Sequence, residues 1–346
     1  MEQTKIFKIM REKILSLTRL KRAALLVLLL YAVGRGESLA QNQVAILQHG
    51  EETTAFYGIN AFVEAHEAAE SGDIITLSSG NFVPTDITKG ITLRGAGCVV
   101  DSLAGTLPTI IGGSIDLDME DESDRFSIEG ILFTNAVYYG YMENPTFIRC
   151  NLVGIYPNYN GWMTNAQFIN CFVSEFDHDV AYGTQFVNCV VWQNYECDTD
   201  SPASFVNSIL GCPNWEYGVS ATNSIIVGHG FESTCSFVNC IGIQLYTGYS
   251  VFGDGYALNC SVYSNYNEVF ETFNGTFSYD DPEPFTLTDE AANFETTDGT
   301  QVGIHGGPIP YTPYPNYMVR SQVTVAPRST IDGQLNIEVE VIEEGE

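Results

Sequence analysis

Two kinds of side chain in this sequence have the chemistry to meet a ligand. Tyr138, Tyr139, Tyr141, Tyr156, Tyr159 and Trp162 gather on either side of Cys150, and Trp192, Tyr195, Trp215 and Tyr217 follow further along. Flat rings beside Asn, Asp and Gly suit sugars, whose apolar ring faces stack on aromatics while their hydroxyls bond amides and carboxylates. The carboxylates are the second kind. Asp116, Asp118, Glu120 and Asp121 begin an acidic run dense enough for Ca²⁺, which takes about six to eight oxygen ligands. Glu175, Asp177 and Asp179 alternate in a later stretch, and Glu196, Asp198 and Asp200 stand one repeat beyond, so stacked copies could converge on one ion. Aromatic packing between loops and a solvated acidic face are the plainer readings of the same residues.

Charge narrows the partners. Of the 14 Lys and Arg, eight lie in residues 1–40, with three of the 43 acids. The remaining 306 residues carry six cations and 40 carboxylates, a net charge of −34. Such a surface repels phosphate backbones and has too few cations to displace their counterions, so nucleic acid is excluded as a partner. Arg94 and Arg149 follow repeat-like phrases at what reads as one turn-adjacent position, a structural place. Five of the nine cysteines (Cys150, Cys171, Cys189, Cys240 and Cys260) also share a repeat position, with Ser208 and Ser224. A place that accepts Cys or Ser is a packing place. Side chains on neighbouring coils point the same way, which favours a ladder of free thiols over disulfides. No CxxC or Cys/His spacing suggests zinc.

The repeat that holds these residues decides the fold. Phe147-Ile148-Arg149-Cys150 recurs as Phe168-Ile169-Asn170-Cys171, Phe186-Val187-Asn188-Cys189 and Phe205-Val206-Asn207-Ser208, then at Asn223-Ser224, Asn239-Cys240 and Asn259-Cys260. The Cys/Ser position advances by 21, 18, 19, 16, 16 and 20 residues. Short β-rich phrases at this period, with no helical pattern between them, need a solenoid in which each coil buries its inward side chains on its neighbours. The drift in spacing argues against a hexapeptide-based left-handed helix and for a right-handed parallel β-helix. Fainter copies at Leu93-Arg94-Gly95 and Ile128-Glu129-Gly130 leave room for one intervening coil near Ile110-Ile111-Gly112. Residues 59–70 have helical spacing and would cap the first coil.

The chain ends are of another kind. A basic segment ending at Lys21-Arg22, an apolar run over residues 23–33 and Ser38-Leu39-Ala40 read as a signal peptide over 1–40, placing the protein outside the cell or on its surface. A membrane enters only through export or anchoring. The β-helix with its cap then spans 41–307, and a Pro-rich linker and short β tail occupy 308–346.

Ala68-Ala69-Glu70-Ser71-Gly72-Asp73-Ile74-Ile75-Thr76-Leu77, followed by Ile91-Thr92-Leu93-Arg94-Gly95-Ala96-Gly97, resembles the opening of pectate-lyase-like right-handed β-helix proteins. Asp298-Gly299-Thr300-Gln301-Val302-Gly303-Ile304-His305-Gly306-Gly307 resembles the closing segment of secreted bacterial members. The resemblance implies the fold and admits lyases, hydrolases and adhesins alike. It would supply a lyase with carboxylate-bound Ca²⁺, an Arg base and cations for an anionic sugar, which this chain hardly has. The paired-Asp motif with a downstream Arg-x-Lys that it implies for polygalacturonases is absent. The resulting expectation is a non-catalytic surface or secreted protein that binds glycans or other surface ligands. Tyr156, Tyr159, Trp162, Trp192, Tyr195, Trp215 and Tyr217 are its candidate ligand residues, and Asp116, Asp118, Glu120, Asp121, Asp177 and Asp179 candidate Ca²⁺ ligands. A lyase or hydrolase of neutral glycans, using Glu175, Asp177 and Asp179, and a structural assembly subunit are the alternatives.

Overall fold

The computed structural model describes residues 43–100, 105–119, 125–177, 181–196, 202–212, 218–228, 230–245, 248–273, 275, 285–313, 320–325 and 337–342. The expected signal peptide lies outside them. Within the unit Gln43–Glu346 the architecture is a right-handed-type parallel β-solenoid. Among the described residues, ten successive coils each give one strand to a twelve-stranded sheet 1 and one to a thirteen-stranded sheet 2.

The repeated phrase is the corner between the sheets. Its Phe is the inward residue of sheet 1, and Phe147, Phe168, Phe186 and Phe205 lie in direct register. Their rings stack at 4.7, 4.8 and 4.8 Å with interplanar angles of 3°, 16° and 6°. The next apolar residue faces out, and then the chain bends. Asn170, Asn188, Asn207, Asn223, Asn239 and Asn259 all have φ between 48° and 56°. Asn tolerates this left-handed conformation better than other side chains, which is why the repeat keeps it. The bend also aims a backbone N–H along the axis: Asn188 donates to Val206 O and Asn207 to Thr222 O, each at 3.0 Å.

Cys or Ser follows because the place needs a small side chain that both donates and accepts. Ser208 Oγ accepts from the Cys189 N–H at 3.1 Å and donates to Phe186 O at 3.1 Å. Cys189 Sγ does the same one coil earlier, toward the Cys171 N–H and Phe168 O. Cys98, Cys150, Cys171, Cys189, Cys235, Cys240 and Cys260 are free thiols.

Two sequence readings are corrected by register. Leu93 pairs directly with Ile128, so no coil intervenes between them; Thr109–Ile111 is the sheet 2 strand of the same, enlarged coil. Arg94 lines up with Glu129, which lines up with Ile148, so Arg94 sits one residue short of Arg149. Arg149 holds the left-handed corner with φ 50° and pairs with Glu129 at 3.1 Å.

Sheet 2 explains its own composition. Triplets such as Ile225-Ile226-Val227 are buried on both faces, as continuous apolar strands must be. Ile226 points into the solenoid core, whereas Ile225 and Val227 join a second core outside it. Val269, Phe270, Phe273, Phe285, Leu287, Val302 and Ile304 from the C-terminal segment close that second core. The segment then straps the Asn corner. Asn259 donates to Glu295 O, Asn239 to Thr297 Oγ1, Asn223 to Asp298 Oδ2 and Thr300 Oγ1, Asn207 to Gln301 O, and Asn188 to Ile304 O and Gly306 O. The strap therefore runs back along the axis as its residue numbers rise. Asn170, the next corner down, is buried with neither side-chain polar atom hydrogen-bonded.

The first coil is capped as the spacing predicts. A helix, Ala61–Ala68, buries Ala61, Phe62 and Ala65 over it, and the antiparallel strands Val44–His49 and Glu52–Tyr57 extend sheet 1. Lys89 Nζ binds the carbonyls of His66, Glu67 and Ala69 at 2.9, 3.1 and 2.7 Å. A cation at the negative end of a helix is stabilising. The tail forms a two-stranded antiparallel sheet, Arg320–Val325 with Ile337–Ile342.

Urea unfolding tests the corner. Phe186→Ala should cost about 3–5 kcal/mol, whereas Cys189→Ser, which keeps donor and acceptor, should cost less than about 1 kcal/mol. Equal losses from both would refute the ladder. Asn207→Gly and Asn207→Ala both lose the strap bond, but only Ala is strained at positive φ, so Ala should be the worse by about 1 kcal/mol.

Candidate functional site

Beside the main path of sheet 2 a branch of strands makes a third wall. Ile115–Leu117 pairs with Val137–Glu143, which pairs with the second half of Asn151–Thr164, and that half pairs with Ala181–Tyr182. Alternation divides their side chains. Ile115, Leu117, Val137, Tyr139, Met142, Ile155 and Met163 face the core. Asp116, Asp118, Tyr138, Tyr141, Glu143, Tyr156 and Trp162 retain solvent exposure.

Register brings the exposed aromatics together. Tyr138 stands opposite Tyr156 with ring centroids 6.0 Å apart, and Tyr141 opposite Trp162 at 5.6 Å, edge to face. Between these pairs Gly140 faces an excursion over residues 158–161, and Tyr159 projects from it 99% exposed. The excursion needs a glycine at its return, because a Cβ on Gly161 would lie 2.1 Å from Tyr139 O. Tyr139 itself faces inward and donates its hydroxyl to Asp177 O at 3.0 Å.

Two more glycines let side chains lean across the wall. A Cβ on Gly154 would come within 2.5 Å of the Tyr156 ring; its absence lets that ring fold back to donate a hydrogen bond to Glu175 Oε2. Burial, and then this bond to a carboxylate, raise the Tyr156 phenol above the ordinary tyrosine range. A Cβ on Gly140 would come within 2.2 Å of Asp118 Oδ1, so Asp118 lies over it. Asp116 donates its backbone N–H to Asp86 Oδ1 at 3.0 Å, which brings these acids together. Burial and then the Asp86 charge raise the Asp116 carboxyl, against a hydrogen bond from Asn158.

Only part of the expected site assembles here. Tyr156, Tyr159 and Trp162 lie on this wall, with Asp116 and Asp118 two strands away. Trp192 does not serve as an exposed platform: it is 8% exposed, over Gly211, with Phe273 edge-on at 5.0 Å in the second core. Its neighbours Val190 and Val191 are apolar too, and that triplet was the sign of a strand covered on both faces. Tyr195 contributes backbone to Val190–Glu196, while Trp215, Tyr217, Glu120, Asp121 and Asp179 lie outside the described residues. Asp177 ends the strand Phe172–Asp177. Among the described residues no group of three or more His, Cys, Asp or Glu side chains is arranged to hold a metal ion. Sequence reasoning missed Asp86, brought in by the bridge between Ile87 and Leu117, and the roles of Gly140 and Gly154. Glycines interrupting aromatic β-strands were the available signal.

No family model matches the chain, and the comparisons with curated proteins and with solved structures gave no match either.

Spectrophotometric titration tests the leaning ring. The difference between the native chain and Tyr156→Phe should be one phenol that ionises above the exposed tyrosines. Gly154→Ala, by displacing the ring from Glu175, should bring that transition down; an unchanged curve in both variants would refute the geometry.

Proposed function

We propose that this chain is an exported, non-catalytic member of the pectate-lyase-like β-helix superfamily that binds glycans on its third wall. The observation that carries the reading is the pair of aromatic rows, Tyr138 with Tyr156 and Tyr141 with Trp162, held by parallel pairing on a rigid surface. The two rings of each pair stand 6.0 and 5.6 Å apart, close to the advance of one sugar in an extended β-linked chain. Glu175, which accepts from Tyr156, and Glu143, two residues past Tyr141 on its exposed side, offer carboxylate oxygens to sugar hydroxyls. Rigid aromatic platforms lose little entropy on binding.

The fold component rests on the solenoid together with the resemblance at residues 68–97 and 298–307. The export component rests on the signal-like segment 1–40. Non-catalytic binding fits the scarcity of cations that a lyase of acidic polymers would require. Lys89 is spent on a helix end and Arg149 on Glu129.

Affinity electrophoresis through soluble polysaccharides, with a reducing-end assay on the same samples, tests the reading. Retardation without sugar release is expected. Trp162→Ala and Tyr138→Ala should each weaken it about tenfold, equivalent to about 1.4 kcal/mol, and Tyr249→Ala, an exposed tyrosine outside the wall, should not. Release of reducing ends would favour a hydrolase instead, and absence of retardation by every glycan would remove the reading.

A further inference from the structure

The rings of the third wall are bordered by carboxylates. Asp116 stands in register with Tyr138, which stands in register with Tyr156. Asp118 leans over Gly140, between Tyr139 and Tyr141. Glu143 follows two residues after Tyr141 on the same exposed side, and Glu175 accepts from Tyr156. Asp86 is drawn against Asp116 by a 3.0 Å hydrogen bond, although like charges oppose that approach. Two of the cations near the start of the solenoid are occupied elsewhere: Lys89 by three helix carbonyls and Arg149 by Glu129.

This arrangement discriminates by charge. A uronate or sulfated sugar would set its anion among these carboxylates. A neutral sugar would stack on the rings and gain nothing from the acids beyond hydroxyl bonds. An amino sugar with a free ammonium would stack equally well, give its charge a carboxylate partner, and place it near ring faces that attract cations. It would also bring a counter-charge to Asp86 and Asp116, which the 3.0 Å hydrogen bond holds together against their like charges.

We propose, resting on the glycan-binding reading above, that the wall selects amine-bearing glycans: extended oligomers of deacetylated amino sugars whose rings lie on Tyr138–Tyr156 and Tyr141–Trp162 and whose ammonium groups face Asp116, Asp118 and Glu143. The aromatic rows make this more than a charge effect, because they fix where the chain lies. The carboxylates then decide which sugar the chain contains.

Isothermal titration of the full chain, at about pH 6 where a sugar amine is protonated and most carboxylates are ionised, tests the proposal. The probes are a glucosamine hexamer, the fully N-acetylated hexamer, a cellohexaose and the non-sugar polyamine spermine. The glucosamine hexamer should bind at least tenfold tighter than the acetylated one, and 0.5 M NaCl should shrink that margin. Asp116→Asn with Asp118→Asn should cut the margin at least fivefold, the acetylated hexamer losing far less affinity than the glucosamine hexamer; these exposed or half-exposed changes carry little risk to folding. Trp162→Ala should weaken all three sugars.

Equal affinity for the two hexamers would overturn the amine preference and leave glycan binding standing. Binding of none of the sugars would remove both. Spermine binding as tight as the glucosamine hexamer, or hexamer binding untouched by Trp162→Ala, would show attraction to an acidic surface and also overturn the proposal.

Discussion

At the corner between its two sheets the chain bends within a single residue, and a left-handed backbone is what makes so sharp a bend. From Asn170 to Asn259, six corners use Asn at nearly the same φ. Because the bend is identical from coil to coil, the Phe before it and the Cys or Ser after it land above their counterparts. The Phe rings can then stack face to face, and the hydroxyl or thiol can link two coils by accepting from one backbone group and donating to another. Phe186 or Ser208 alone is an ordinary buried residue. In register each becomes part of a column, and the column sets the axial spacing on which the sheets and the third wall depend.

The same bend turns the Asn side chains outward, where their amides would need water or a partner. The C-terminal segment supplies partners at five corners and brings Val302 and Ile304 onto the outer face of sheet 2. One excursion of chain thereby satisfies a polar column and covers an apolar surface. This double duty accounts for the two-sided apolar strands of sheet 2. It also buries Trp192, whose ring would otherwise lie open on that face.

The third wall escapes the strap and stays accessible. Its outward residues are those that ladder geometry brings to one side of three neighbouring strands, and its glycines create room for large side chains to lie flat. Tyr156 reaches Glu175 and Asp118 reaches across Gly140 for this reason. An acidic, aromatic surface on a rigid axis is therefore a product of register, with local composition supplying only the ingredients.

Much of this was legible in the amino acids alone. The recurrence of Phe-x-Asn-Cys revealed the coils, their parallel stacking and the thiol column, because a periodic fold writes its period into the chain wherever a special backbone angle must recur; the helical spacing of residues 59–70 revealed the cap. The Asn corner is dictated locally, by φ. Three matters were decided only in three dimensions. Leu93 pairs with Ile128 across 35 residues, since an enlarged coil and two normal ones have the same length in sequence. Trp192 is buried and Tyr138 exposed, since burial depends on where a segment some eighty residues later returns. Asp86, Asp116 and Asp118 meet the aromatic rows because strands far apart in the chain become neighbours along the axis. The repeat determined that coils would stack; the uneven excursions between repeats decided which side chains would meet, because their placement rests on contacts between distant parts of the chain.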